Sequence, residues 1–283
     1  MVISRYLKKG DCNMDTILET YLNNIKASKS VSTYKSYANA FEKWFPKGKC
    51  IFTLEHISKK LSNMRCSVNT KALRCVVLRR FLNFANNYKK IKDLPVILEL
   101  LSSISTKETV PVVVSNEQYK HILSNCDDVK YQIAIRLMYE NALRESEVLG
   151  ILTNNYDSKK KTITIVDTKN GNDYLIYLTD DLNNTIKEYY NKDSEYLLPS
   201  KRGTKIDAGN FRKYIKELCT KCGYPKLHCH SFRHGSATYL LDNDVNIFVI
   251  KEHLHHKSLQ STQKYLHISK KHKEQVRNIF SNI

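Results

Sequence analysis

The chain has 283 residues, 41% of them hydrophobic, enough to bury one large core or two modest ones, which excludes a chain dominated by disorder. Its 46 Lys and Arg outnumber 28 Asp and Glu, and the formal net charge of +18 points to a polyanionic partner, nucleic acid first. No apolar run is long enough to cross a bilayer, and MVISRYLKKGDCNMD at the N-terminus lacks the apolar segment of a secretory signal. The expectation is a cytoplasmic protein with no membrane partner, whose eight cysteines stay as reduced thiols.

The first third reads as helices. Met14, Ile17, Leu18, Tyr21, Leu22 and Ile25 fall at helical spacing behind Asn13, and Tyr34, Tyr37, Ala38, Phe41, Trp44 and Phe45 repeat the pattern behind Ser32. A shorter helix follows over residues 54–64. Another holds Leu73, Val76, Val77, Phe81, Phe84, Ala85 and Tyr88, with Ser67 or Asn69 ahead of it. Because the aromatic residues share one face of each helix, they are expected in a core rather than as platforms for stacked bases. Lys71, Arg74 and Arg79, on the other face of the last of these helices, are the candidate phosphate contacts.

Residues 101–114, LSSISTKETVPVVV, lose helical period and read as a linker. SNEQ, with Ser115 as cap and Gln118 three residues on, opens a second domain with a capping box. A buried helix is expected over 128–139, then a turn and helix in NALRESEVLGI, then two strands, KTITIV and NDYLIYL, joined around Asn170-Gly171. Helices over 208–222, 231–242 and 245–255 follow, and a short one holding Tyr265. The expected division is a helical domain over 1–102, a linker over 103–114 and a catalytic domain over 115–283.

Four clusters in the second half combine bases, acids and hydroxyls: NALRESE, DTKNGN, HSFRH and HHKSLQSTQKYLH. Taken singly each is weak, since an arginine such as Arg144 at a helix start commonly pairs with a carboxylate such as Glu147. Four histidines between Glu252 and His267 suggest zinc, and CTKCGYPKLHCH offers Cys219, Cys222, His228, Cys229 and His230 near zinc spacing. Gly223 would end a helix at Cys222, however, and a metal there would compete for His230, so cysteines packed on a helix face are the expectation.

Taken together, ENALRESEVLGI, HCHSFRHGSATYLL and HLHHKSLQSTQKYLH resemble, in order and separation, the three C-terminal signature boxes of the tyrosine recombinase (phage integrase and Xer-like) family. The resemblance implies a mainly α fold with a small antiparallel β-sheet, in a two-domain clamp on DNA. It implies a site-specific recombinase that cuts and rejoins DNA through a 3′-phosphotyrosine. It makes Arg144 and Arg233 the phosphate-binding arginines, His230 and His256 the histidines, Lys169 the hairpin lysine and Tyr265 the nucleophile, with Glu147 as the partner that aims Arg144. Planar, always-charged guanidinium groups suit the charge that builds on non-bridging oxygens. The implied role of His230 is to take the phenol proton, of Lys169 to protonate the departing 5′-oxygen, and of His256 to hold a phosphate oxygen. No metal or other cofactor is expected. The partners implied are double-stranded recombination sites, three further copies in a synaptic homo-tetramer and an accessory directionality factor. A type IB topoisomerase and a DNA-binding protein without catalysis are the alternatives. One departure is His255, where the family usually has Gly and where a bulkier residue is expected to shift the turn. Another is Thr168-Lys169-Asn170 in place of Gly-Lys-Gly.

Overall fold

Helices in this protein start where a side-chain oxygen can take a backbone N–H that has no partner in the helix itself. Seen in a computed structural model that describes residues 14–29, 31–45, 51–107, 110–166, 173–263 and 265–266, the chain divides into two compact units after residue 109. The N-terminal unit holds α1 (Met14–Ser28), α2 (Val31–Trp44), α3 (Leu54–Ser62), α4 (Val68–Ala85) and α5 (Leu94–Ser102). Thr53 caps α3 by accepting from the His56 N–H, and Ser67 caps α4 by accepting from Thr70.

The core of this unit is aromatic: Tyr21, Tyr37, Phe41, Trp44, Phe45 and Phe81 are all buried, with Ile57, Leu78, Leu82, Ile97 and Leu101 around them. The Trp44 indole, fully buried, donates to the Arg74 carbonyl oxygen at 3.1 Å, which locks α2 to α4. Helix α5 was not expected from the sequence, which leaves residues 94–100 unassigned. Proline lies in its first turn, where no N–H is needed, and Ile97 and Leu101 give the helix a face to bury. Helix α5 runs to Ser102, so the first two residues of the 101–114 stretch belong to it.

The C-terminal unit begins with α6 (Asn116–Ser124) and α7 (Val129–Tyr139). The Ser115–Gln118 capping box forms in both directions, and Asp128 caps α7. After α8 (Glu145–Val148) and a 3-10 turn, the chain forms an antiparallel sheet of β1 (Tyr156–Asp157), β2 (Thr162–Ile165) and β3 (Tyr174–Tyr177) in the order β1-β2-β3. Ile163 pairs with Ile176 and Ile165 with Tyr174, so one face of the hairpin enters the core. The expected Asn170-Gly171 turn, and Lys169 with it, lies outside the described residues.

Helix α9 (Asp180–Tyr189), which the sequence pattern left unassigned, buries only Leu182, Asn183 and Ile186 on an otherwise polar surface. Three more helices follow, α10 (Ala208–Lys221), α11 (Cys229–Asp242) and α12 (Ile247–His253), and then the one-turn α13 (Gln260–Gln263). Tyr265 lies in the turn after α13, not inside it. Helix α11 runs against α7, and Gly235 makes the approach possible. A Cβ there would collide with the Val114 carbonyl oxygen and stand 3.1 Å from the Tyr139 ring. A separate small core of Ala142, Ala237, Leu241, Ile250 and Leu254 encloses Tyr265.

Candidate active site

Arg144 stands at the N-cap of α8, and Glu147, one turn on, grips it twice. One carboxylate oxygen takes the Arg144 backbone N–H and the other its Nη1, both at 2.6 Å. A guanidinium has no acceptor, so only the Glu147 half of a capping box forms, and the same carboxylate sets both the helix start and the aim of the guanidinium. The Arg144 side chain keeps 40% of its surface exposed.

Arg233 is the opposite case. It lies in the second turn of α11, 4% exposed, and its two terminal nitrogens donate to the carbonyl oxygens of Ala142 and Leu254. Glu147 Oε2 is 3.9 Å from its Nη1. Burial, and then the neighbouring Arg144, push Arg233 down to about 10, with Glu147 opposing. It remains a cation at neutral pH, and the five N–H groups of a guanidinium leave donors beyond these two bonds. The two arginines and the carboxylate between them form one electrostatic unit.

His256 lies three residues past the end of α12, and its Nδ1 is 2.9 Å from the hydroxyl of buried Thr262. That bond fixes the ring from α13, which explains why Thr belongs in the QSTQ stretch. His255 takes the left-handed backbone conformation that glycine favours, φ 48°. Its ring stacks on Tyr174 of β3 at 3.5 Å between centroids, which ties the turn to the sheet. Burial first and Arg233 second hold His255 down to about 4, so it is neutral. Arg144, Glu147, Tyr174, His255, His256 and Lys205 all face one open cleft of about 930 Å³.

Tyr265 is fully buried. Burial pushes its phenol up to about 12 against the pull of Arg233 and Arg144, which both lower it. Its oxygen lies 2.8 Å from Nδ1 of His234, a residue the sequence reading passed over. His230, to which the resemblance gives the phenol proton, is exposed one turn earlier on α11, its ring 6.4 Å from that of His234. The only sequence signal for His234 was its spacing, four residues after His230 on one helix face.

In the N-terminal unit, Lys71 Nζ donates to the Leu61 carbonyl at 2.9 Å, Arg74 leans on Cys66, and Arg79 is half-buried. His253 lies within 3.3 Å of Ser236, and His267 is outside the described residues. Of the alternative zinc ligands, Cys219 packs fully buried in the core, Cys222 ends α10, and burial pushes Cys219 and Cys229 up to about 12. Among the described residues no three His, Cys, Asp or Glu side chains form a group able to hold a metal ion, and no helix is long and apolar enough to span a membrane.

The sequence profile of the phage integrase family matches residues 113–272, which include all three boxes and the cluster just described. The chain belongs to that family. The tyrosine recombinase XerD of Haemophilus ducreyi is 23% identical over 285 residues, spanning 91% of this chain and 94% of its own. XerA of Pyrococcus furiosus is 29% identical over 207 residues, spanning 69% and 72%. Among solved structures, the Tn1549 transposon integrase in complex with transposon right end DNA shares the fold with a TM-score of 0.76 at 16% identity, covering 95% of this chain and 100% of that one. Tyrosine recombinases are site-specific enzymes that break and rejoin DNA, and this chain is one of them. Neither a topoisomerase nor a DNA-binding protein without catalysis is favoured by these relatives.

Proposed function

We propose that this phage integrase family member recombines DNA through Tyr265. The phenol attacks a phosphodiester, the O–P bond to the 5′-oxygen breaks, and a 3′-phosphotyrosine keeps the bond energy for religation by an incoming 5′-hydroxyl. Arg144 and Arg233 bind the non-bridging oxygens as charge builds there, Glu147 aims Arg144, and His256 holds a phosphate oxygen. Lys169 on the β2–β3 connection protonates the leaving oxygen, and His230 takes part in moving the phenol proton. The observation that carries this reading is the single electrostatic unit of Arg144, Glu147 and Arg233, whose two cations both act on the Tyr265 phenol.

Lys71, Arg74 and Arg79 contribute contacts to the backbone of duplex DNA from the N-terminal unit. The enzyme works in the cytoplasm as a homo-tetramer on two sites, with an accessory factor setting direction. The segment ISKKHKEQVRNIFSNI, with Val276, Ile279 and Phe280 at helical spacing, links one protomer to the next. Removing the chain from Lys270 onward leaves half-site binding intact and abolishes the tetramer; a truncated protein that still recombines would overturn that assignment.

The central test begins with sequencing DNA trapped covalently on the protein, which supplies the site. On a nicked suicide substrate carrying it, Tyr265→Phe binds yet leaves no SDS-resistant adduct. An adduct that persists, or maps to another tyrosine, removes Tyr265 from this role.

A further inference from the structure

In the protein without DNA the Tyr265 phenol is buried, and the polar atom set against its oxygen belongs to a neighbouring imidazole. The imidazole Nδ1 of His234 is already 2.8 Å from the phenol oxygen, within hydrogen-bond distance, with the two rings 5.7 Å apart and tilted at 51°. His234 is half-buried, and exposed His230 lies one turn closer to the start of the same helix. The two histidines thus make a path of rising exposure from the phenol outward. Against this stands the burial that raises Tyr265 to about 12, where a phenol left to itself supplies very little phenolate at neutral pH.

We propose that His234 is the first proton acceptor of the attacking phenol, a catalytic residue additional to those assigned above; this rests on Tyr265 being the nucleophile. As the Tyr265 oxygen bonds to phosphorus, its proton passes to His234 Nδ1, the imidazole becomes imidazolium, and the 5′-oxygen departs with a proton from the general acid. On religation the 5′-hydroxyl gives up its proton, the O–P bond to tyrosine breaks, and the phenolate takes its proton back from His234. His230 exchanges protons between His234 and solvent. The rigidity of the start of α11 supports this role. Gly235, next in sequence, lets the helix press against Val114, and the Arg233 side chain before it is pinned to two carbonyls.

The test is single-turnover adduct formation by the full chain on the nicked substrate. His234→Asn keeps a hydrogen-bonding group but cannot take up a proton, so cleavage falls about 100-fold while DNA affinity is unchanged. A fluorinated tyrosine at position 265, whose phenol ionises more readily, restores most of that loss. A 5′-bridging phosphorothiolate, whose sulfur leaves without a proton, does not. A variant that cleaves at the wild-type rate, or faster because a latch has been released, overturns the inference. So does rescue by the phosphorothiolate alone, which would put His234 on the leaving group. If His234→Asn does not fold, nitrogen NMR of the ¹⁵N-histidine-labelled wild-type protein decides. Nδ1 of His234 must be unprotonated and must shift in Tyr265→Phe; a protonated Nδ1 cannot accept the phenol proton. Loss of the adduct in Tyr265→Phe with normal cleavage by His234→Asn refutes only this inference, whereas an adduct in Tyr265→Phe refutes the nucleophile itself.

Discussion

Arg233 donates to the carbonyl oxygen of Leu254, the last residue before the His255-His256 pair, and so fastens the helix of one signature box to the turn of another. Its other arm holds Ala142, in the box that carries Arg144. Arg233 therefore assembles the site as well as charging it. A lysine cannot reach both carbonyls, so Arg233→Lys is expected to lower stability by about 2–4 kcal/mol, because buried acceptors lose their donors. Arg144→Lys, at a partly exposed position, changes stability by less than about 1 kcal/mol. Both slow cleavage. Urea denaturation beside adduct formation separates the two arginines.

Glu147→Gln replaces one of the two oxygens that hold Arg144 with an amide that cannot accept. The expected cost is about 1–3 kcal/mol in stability. Cleavage falls further than DNA affinity, since Arg144 is no longer aimed. Equal losses in affinity and cleavage would make Glu147 only a support for the fold.

Gly235→Ala places a methyl group against the Val114 carbonyl oxygen and the Tyr139 ring. Neither can retreat easily, because Val114 is held through its N–H by the Ser231 carbonyl and Tyr139 stacks on Tyr119 at 4.0 Å. A loss of about 1–3 kcal/mol is expected by thermal unfolding.

His255 gives a pH signature. Its folded-state value, about 4, is below that of a free imidazole, so the unfolded chain binds the proton more readily. Its contribution to stability is therefore complete above about pH 6.5 and is lost as pH falls toward 4. His255→Gly removes the left-handed strain, about 1–3 kcal/mol, and also the stack on Tyr174, about 0.5–1.5 kcal/mol. At pH 7 the variant falls between about 0.5 kcal/mol less and about 2.5 kcal/mol more stable than the parent, and its melting temperature falls less between pH 7 and pH 4. His253, also held down by burial, keeps part of the slope in both proteins.

The sequence alone determined the elements whose cause is local and the chemistry that depends on residue type. The Ser115–Gln118 box, the Ser67 cap, the β2–β3 strands and the order of the three boxes could all be read because each depends on neighbours within a few residues. Helices α5 and α9 could not. One carries a proline in its first turn and the other has few apolar residues, and both exist because a surface elsewhere in their unit accepts their buried face. The same division runs through the site. That arginines, histidines and a tyrosine gather near phosphate chemistry is what the resemblance of the three boxes to the tyrosine recombinase family implies. Three facts, however, join residues 21 to 91 positions apart: His234 at the phenol, the two arms of Arg233 on backbone carbonyls, and His255 on Tyr174. Such contacts are fixed by how helices and sheet pack, and no window along the chain contains them.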